Sequence, residues 1–98
     1  MAPVVDPKTV GLTTSAVQVL AADPQRREVY FTNEEASGGD SLRLGPSGVT
    51  ANGTDATDGI LLIPEKTLPF VGEGAMAEWY AIAESGTPEL SIIEVKSF

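Results

Sequence analysis

Ninety-eight residues with 14 acidic and 6 basic side chains, no histidine and no cysteine exclude an imidazole base, a thiolate nucleophile, a soft metal site and a disulfide. A formal charge of −8, with Arg26 and Arg27 the only adjacent basic pair, is the wrong balance for a nucleic-acid partner, since neutralising phosphates takes clustered Lys and Arg. The length supports one domain, and a hydrophobic fraction of 42% is sufficient for a packed core. No apolar run approaches the ~18–20 residues of a membrane span, and no basic region followed by an apolar stretch marks a secretion signal, so a soluble chain is expected.

Met1 to Leu12 carries Pro3 and Pro7 with little periodicity. Proline removes a ladder donor and biases its predecessor toward extended geometry, so this stretch predicts an extended N-terminal arm, a device that can tether subunits. From residue 13 to 98 the chain reads as short strands separated by turns. Thr14 to Ala22 alternates, with Val17 and Val19 on one face and Gln18 on the other, and stops at Asp23-Pro24-Gln25. Glu28 to Asn33 places Val29 and Phe31 on one face, with Glu28, Tyr30 and Thr32 opposite. Ala36 to Asp40 is a turn, and Ser41 to Leu44 sets Leu42 and Leu44 inward and Arg43 outward.

Gly45 to Gly59 holds four glycines, one proline and no aromatic residue, which predicts a surface loop. Ile60 to Ile63 is apolar on both faces, the pattern of a strand covered twice or lying against another subunit. Pro64 and Pro69 argue against a continuous ladder beyond it. Ala75 to Glu84 predicts a second strong strand with Trp79 among alanines, and Glu89 to Lys96 a last one. There the Ile92-Ile93 pair suggests a bulge or burial of both faces. No segment longer than one or two turns has helical periodicity. About seven short strands imply an all-β fold, a small antiparallel β-sandwich or barrel.

Chemistry-bearing clusters are few. Asn52, Asp55 and Asp58 could offer hard oxygens to calcium, but their spacing is not that of an EF-hand loop, and a turn-rich solvated loop is the simpler reading. The same loop holds an Asn-Gly-Thr sequon, meaningful only on a eukaryotic secretory route. Glu34 and Glu35 point to opposite strand faces and cannot easily flank one bond. An enzyme would need Glu34 or Glu35 brought beside Glu78. Gly38-Gly39 and Gly45-x-x-Gly48 lack the strand-then-helix context of a phosphate cradle. Trp79 and Tyr80 could form a sugar-stacking platform, although a tryptophan in an apolar strand reads first as core. Exposed edge strands and the two-sided apolar stretches favour a homo-oligomer.

Val17-Gln18-Val19-Leu20-Ala21-Ala22-Asp23-Pro24 with Arg26-Arg27 is followed by Val29-Tyr30-Phe31-Thr32-Asn33, Leu42-Arg43-Leu44-Gly45, Gly59-Ile60-Leu61-Leu62 and Trp79-Tyr80-Ala81-Ile82-Ala83-Glu84-Ser85-Gly86-Thr87. This order, across residues 13 to 96, resembles the small β-sandwich virion proteins of tailed bacteriophages. Those carry an Ala-Asn-Pro-x-Arg turn, a strand ending in Asn, a Gly-bounded loop and Tyr-Ala-Ile-Ala before a Gly-Thr turn. The chain departs in having Asp23 where Asn is common and Pro64-Glu65-Lys66 where a Pro-Gly turn is usual. The resemblance implies a non-enzymatic capsid decoration (cement) protein without a cofactor, made in the bacterial host cytoplasm and carried on the capsid exterior. Its partners would be the major capsid protein and further copies of itself, as a homotrimer, with neither nucleic acid nor membrane. Val4, Val5, Val10 and Leu12 are the arm residues expected to reach the shell or a neighbour. Ile60, Leu62, Ile92, Ile93 and Val95 are the expected oligomer seam. A tail, fibre or head–tail connector component and a carbohydrate-binding module remain open as alternatives.

Overall fold

A computed structural model describes residues 3–51, 53 and 56–97. Its elements are β1 (Pro3–Gly11), β2 (Val17–Leu20), β3 (Arg26–Asn33), β4 (Leu42–Gly45), β5 (Ile60–Leu62), β6 (Thr67–Val71), α1 (Glu73–Met76), β7 (Trp79–Ala83) and β8 (Glu89–Ser97). They form two four-stranded antiparallel sheets, sheet A in the order β1-β8-β3-β6 and sheet B in the order β2-β7-β4-β5. The chain is thus a small β-sandwich, as its alternation implies.

Period-two patterning decides what lies between the sheets. Val29 and Phe31 of β3 and Leu90 and Ile92 of β8 face Leu42 and Leu44 of β4, Leu62 of β5 and Ala81 and Ala83 of β7, all buried. Trp79 lies with its ring centroid 5.4 Å from Phe31 and 4.5 Å from Phe70, and the small alanines of β7 make room for it. The helical turn α1 occupies the start of the stretch that reads as strand from Ala75, and β7 begins only at Trp79. In β2, a register shift between Gln18 and Leu20 brings Val19 and Leu20 both inside and leaves Val17 exposed, so Val17 and Val19 do not share a face.

The N-terminal segment is not an arm. β1 pairs with β8 without interruption from Pro3↔Ser97 to Gly11↔Glu89. One step further, the Leu12 N–H donates to Pro88 O at 2.9 Å, so even-numbered residues of β1 turn their N–H toward β8 and odd-numbered ones turn away. Pro3 and Pro7 are odd, and their missing donors cost no ladder bond. Sheet A's other edge repeats the device. Asn33 N–H donates to Lys66 O at 3.0 Å, which sets Thr67, Pro69 and Val71 facing outward, so β6 runs straight through Pro69. Prolines that argue against strands in the sequence therefore sit where an edge strand tolerates them.

Pro64 lies in the turn between β5 and β6, closed by Lys66 N–H to Ile63 O at 3.3 Å. Glu65, at its third position, has φ 69°. That is the conformation a type II turn asks of its third residue and which glycine adopts most easily.

Candidate functional site

A bulge in β3 creates the molecule's main polar site. Glu28, Tyr30 and Thr32 face outward, and unbroken alternation would send Arg26 the same way. The shift between Arg26 and Glu28 turns Arg26 inward instead, leaving it 2% exposed. There its Nε donates to Glu94 Oε1 at 2.9 Å, Nη1 to the carbonyls of Ala75 and Ala77 at 2.8 and 3.2 Å, and Nη2 to Ala21 O at 2.9 Å. Lys96 Nζ lies 3.1 Å from Asp23 Oδ2 and 3.7 Å from Glu94 Oε1, and Asp23 Oδ1 accepts from Gln25 N–H at 2.8 Å. The Gln25 amide first, then Lys96, holds the Asp23 carboxyl below the usual range, and Asp23 raises Lys96 in return. With Asp6 and Lys8 these groups rim an open cavity of about 290 Å³, where three acids balance three bases. This arrangement clamps the strand ends of both sheets, and every one of these buried side chains has its hydrogen bonds made within the fold.

Asn33 performs the equivalent task at the other end of β3. Fully buried, it donates from Nδ2 to Asp40 O and Leu62 O, each at 3.0 Å, and accepts from Glu35 N–H at 3.0 Å, stitching sheet A to β5 of sheet B. Gly59 and Gly86 are also fixed by contact. A Cβ on Gly59 would stand 2.4 Å from Leu44 O, and one on Gly86, whose φ is 66°, 2.0 Å from Asp40 Oδ2. Arg26, Asn33, Gly59 and Gly86 are thus fold-determining.

The remaining sequence candidates divide as follows. Trp79 is buried, its Nε1 donates to Gly74 O at 2.9 Å, and it offers no exposed stacking face. Glu78 accepts from Gln18 at the Arg26 end of the sandwich, whereas Glu34 and Glu35 follow the Asn33 end of β3, roughly 25 Å away by strand rise. The fold does not join those carboxylates. Asp58 accepts from Thr50 Oγ1 at 2.6 Å, while Asn52 and Asp55, and with them the sequon, fall outside the described residues. Among the described residues no group of three acidic side chains is placed to hold a metal ion.

The predicted contact residues are likewise split. Leu12, Leu62 and Ile92 are core residues at 1%, 3% and 0% exposure and can reach no partner, and Val10 packs against the same core. Ile92 and Ile93 form neither a bulge nor a doubly buried pair, since β8 keeps register there and Ile93 points to solvent. Val4 and Val5 are exposed, but as part of β1. Ile60 is exposed beside Leu61 and Ile63 at the β5 edge of sheet B, whereas Ile93 and Val95 belong to sheet A.

Sheet A's outer face is ordered into rows across all four strands. The central row is Pro7, Ile93, Tyr30 and Pro69. On one side stand Val5, Val95, Glu28 and Val71, and on the other Thr9, Ser91, Thr32 and Thr67, in which the Thr32 and Thr67 hydroxyls lie 2.8 Å apart. The ionisable groups in these rows are Glu28 and the Tyr30 phenol, which donates to Glu28 Oε1 and is raised by it. Sequence reading separates the outward residues of β3 correctly, but the row exists only once four distant segments are in register.

No family model matches the chain, and no curated protein matches it. A solved structure of Bacillus endospore appendages, described as a family of disulfide-linked pili, aligns over 97% of this chain and 89% of its own, at 16% identity and a TM-score of 0.41. At that level nothing about role transfers.

Proposed function

We propose that the chain is a non-enzymatic virion structural protein of the tailed-phage kind, a capsid decoration protein that stabilises an assembled shell by adhering to it in many copies. One contrast supports this reading. The ionisable groups at the β3 bulge are occupied in holding turns and strand ends, as in Arg26–Glu94 and Lys96–Asp23, while Ile60, Leu61, Ile63, Val5, Val71 and Ile93 stand in solvent. Surface of that kind is spent on adhesion rather than on bond making.

Ile60, Leu61 and Ile63 on the short β5 edge are the shell-facing contact in this reading, replacing the arm. A decoration subunit that binds assembled shell and not free subunits stabilises assembly by mass action, and joined copies multiply a modest contact through effective concentration. The test is to add the purified protein to undecorated shells and count bound copies by gel densitometry or reconstruction. Hundreds of copies, with raised resistance of the shell to heat, are expected. A handful of copies at one vertex or on the tail would move the protein to a connector or tail role, and no binding would remove the virion reading.

A further inference from the structure

Sheet A cannot grow sideways, because Pro3 and Pro7 on one edge and Pro69 on the other leave gaps in the outward row of donors. Its outer face is a different matter. Val5 is 62% exposed, Val71 68% and Ile93 38%, and they stand in one face with the half-buried Tyr30 and Val95. Exposed apolar area of this continuity marks a contact surface.

We propose that this face is where two copies of the chain pack together, sheet on sheet, about a two-fold axis that runs along the strands between β8 and β3. Three observations select a second copy as the occupant. The first is charge. The chain carries −8, so two copies repel over most of their surface, yet the rows hold no lysine or arginine and one carboxylate, Glu28, already accepting from Tyr30. A basic partner would call for an acidic face, whereas Glu28 is the one carboxylate in the three rows and Glu89 stands one step beyond them on β8.

The second is self-complementarity. That axis exchanges β1 with β6 and β8 with β3, so each row meets itself reversed. Val5 lies over Val71 of the second copy, Ile93 over Tyr30, Pro7 over Pro69, and the hydroxyl row over the hydroxyl row. Aligned sheets cross at about 30° and pack about 10 Å apart, so the match is closest at the central Ile93 and Tyr30. The third is size. Four strands about 4.8 Å apart and three rows about 6.8 Å apart cover roughly 400 Å² per copy and about 800 Å² per pair, the size of a weak and transient interface, which suits reversible association at roughly tens to hundreds of micromolar.

This pairing names the surface behind the self-association in the decoration reading and can fail separately from the shell contact. The experiment is sedimentation velocity of the full chain from micromolar to hundreds of micromolar, on wild type, Val71→Glu, Ile93→Glu and the sheet B control Leu61→Glu. A wild-type dimer is expected. Val71→Glu and Ile93→Glu should each weaken it by more than about tenfold, because each buries an unpaired carboxylate, whereas Leu61→Glu should leave it intact. Val71 is on an edge strand and largely exposed, so its variant keeps the test valid if Ile93→Glu fails to fold. A wild-type monomer throughout, a trimer, or a dimer lost only in Leu61→Glu overturns the proposal. So does a monomer whose shell binding vanishes in Val71→Glu, since the face would then belong to the shell. A dimer that binds no shell leaves the pairing standing and removes the virion reading.

Discussion

Sheet A places prolines at outward-facing positions in both of its edge strands, of nine and five residues, whereas the edge strands of sheet B have four and three residues and no proline. Long edges need a chemical guard against pairing with other chains, and short ones are guarded by brevity. The outer faces differ in the opposite sense. Sheet B's is crossed by the Arg43–Glu84 ion pair at 2.9 Å and by Gln18 bonded to Glu78, while sheet A's three rows hold a single carboxylate, Glu28, and no basic side chain, with Glu89 one step beyond them. One sheet has prolines at its sides and exposed apolar residues on its face, and the other has an ion pair on its face and a short apolar edge. The contrast places the two exposed apolar surfaces of the sandwich on different sheets, so that substitutions can probe each without the other.

The most disruptive way to break this arrangement acts on what both sheets share. Arg26→Met removes four donor contacts and leaves Glu94 buried beside Lys96 alone. Breaking a buried pair by removing one partner costs about 3–5 kcal/mol. Urea unfolding should show a loss of that size, with the slope of the transition unchanged. A loss below about 1 kcal/mol would mean that the bulge of β3 is held by the strand pairing and not by the guanidinium.

The turn that carries the chain from the β5 edge to the β6 edge sharpens the comparison. Glu65→Gly relieves a left-handed residue that costs roughly 1 kcal/mol, offset in part by the greater freedom of glycine in the unfolded chain. A net gain of about 0.5 kcal/mol in thermal or chemical unfolding is expected, and a loss would show that the Glu65 side chain contributes more than its backbone costs.

The edge guards can be tested directly. Pro7→Thr with Pro69→Thr restores outward N–H donors on both sides of sheet A without touching the core. Stability should change by no more than about 0.5 kcal/mol, as for surface substitutions in general. Light scattering on prolonged concentration should reveal slow, open-ended assembly absent from wild type. If no such assembly appears, the prolines are not what keeps the edges apart.

Much of this fold can be read directly from the residues, because strand alternation is local. Val29 and Phe31 against Tyr30 and Thr32, or Leu42 and Leu44 against Arg43, report their faces without reference to any neighbour. What could not be read depends on partners far along the chain. Pro7 and Pro69 signal non-strand unless it is known which side of the strand is paired. Arg26 reads as a surface basic residue until the bulge turns it inward, and Leu62 and Ile92 look like contact residues until the opposing sheet covers them. The row from Pro7 to Pro69 joins segments more than sixty positions apart, and no local pattern announces it.

An effect of surface-pair size isolates the charge at the open end of the clamp. Asp23→Asn keeps an oxygen for the Gln25 N–H and removes the attraction to Lys96. Both side chains are about one-fifth exposed, which puts the pair within the ~0.2–1 kcal/mol of a surface ion pair. Its pH dependence identifies it. The Asp23 pKa is lowered by folding, so its contribution is present above the unfolded value near 3.8 and is lost as pH falls through the folded one. The Lys96 pKa is raised, so its share is present below about 10.5 and is lost as pH climbs through the folded value. The stability difference between wild type and Asp23→Asn should therefore form a plateau across neutral pH and fall at both ends. Added salt should flatten it, since the pair is open to screening ions. A difference independent of pH and salt would assign the effect to the turn geometry around Gln25 instead of to the ion pair.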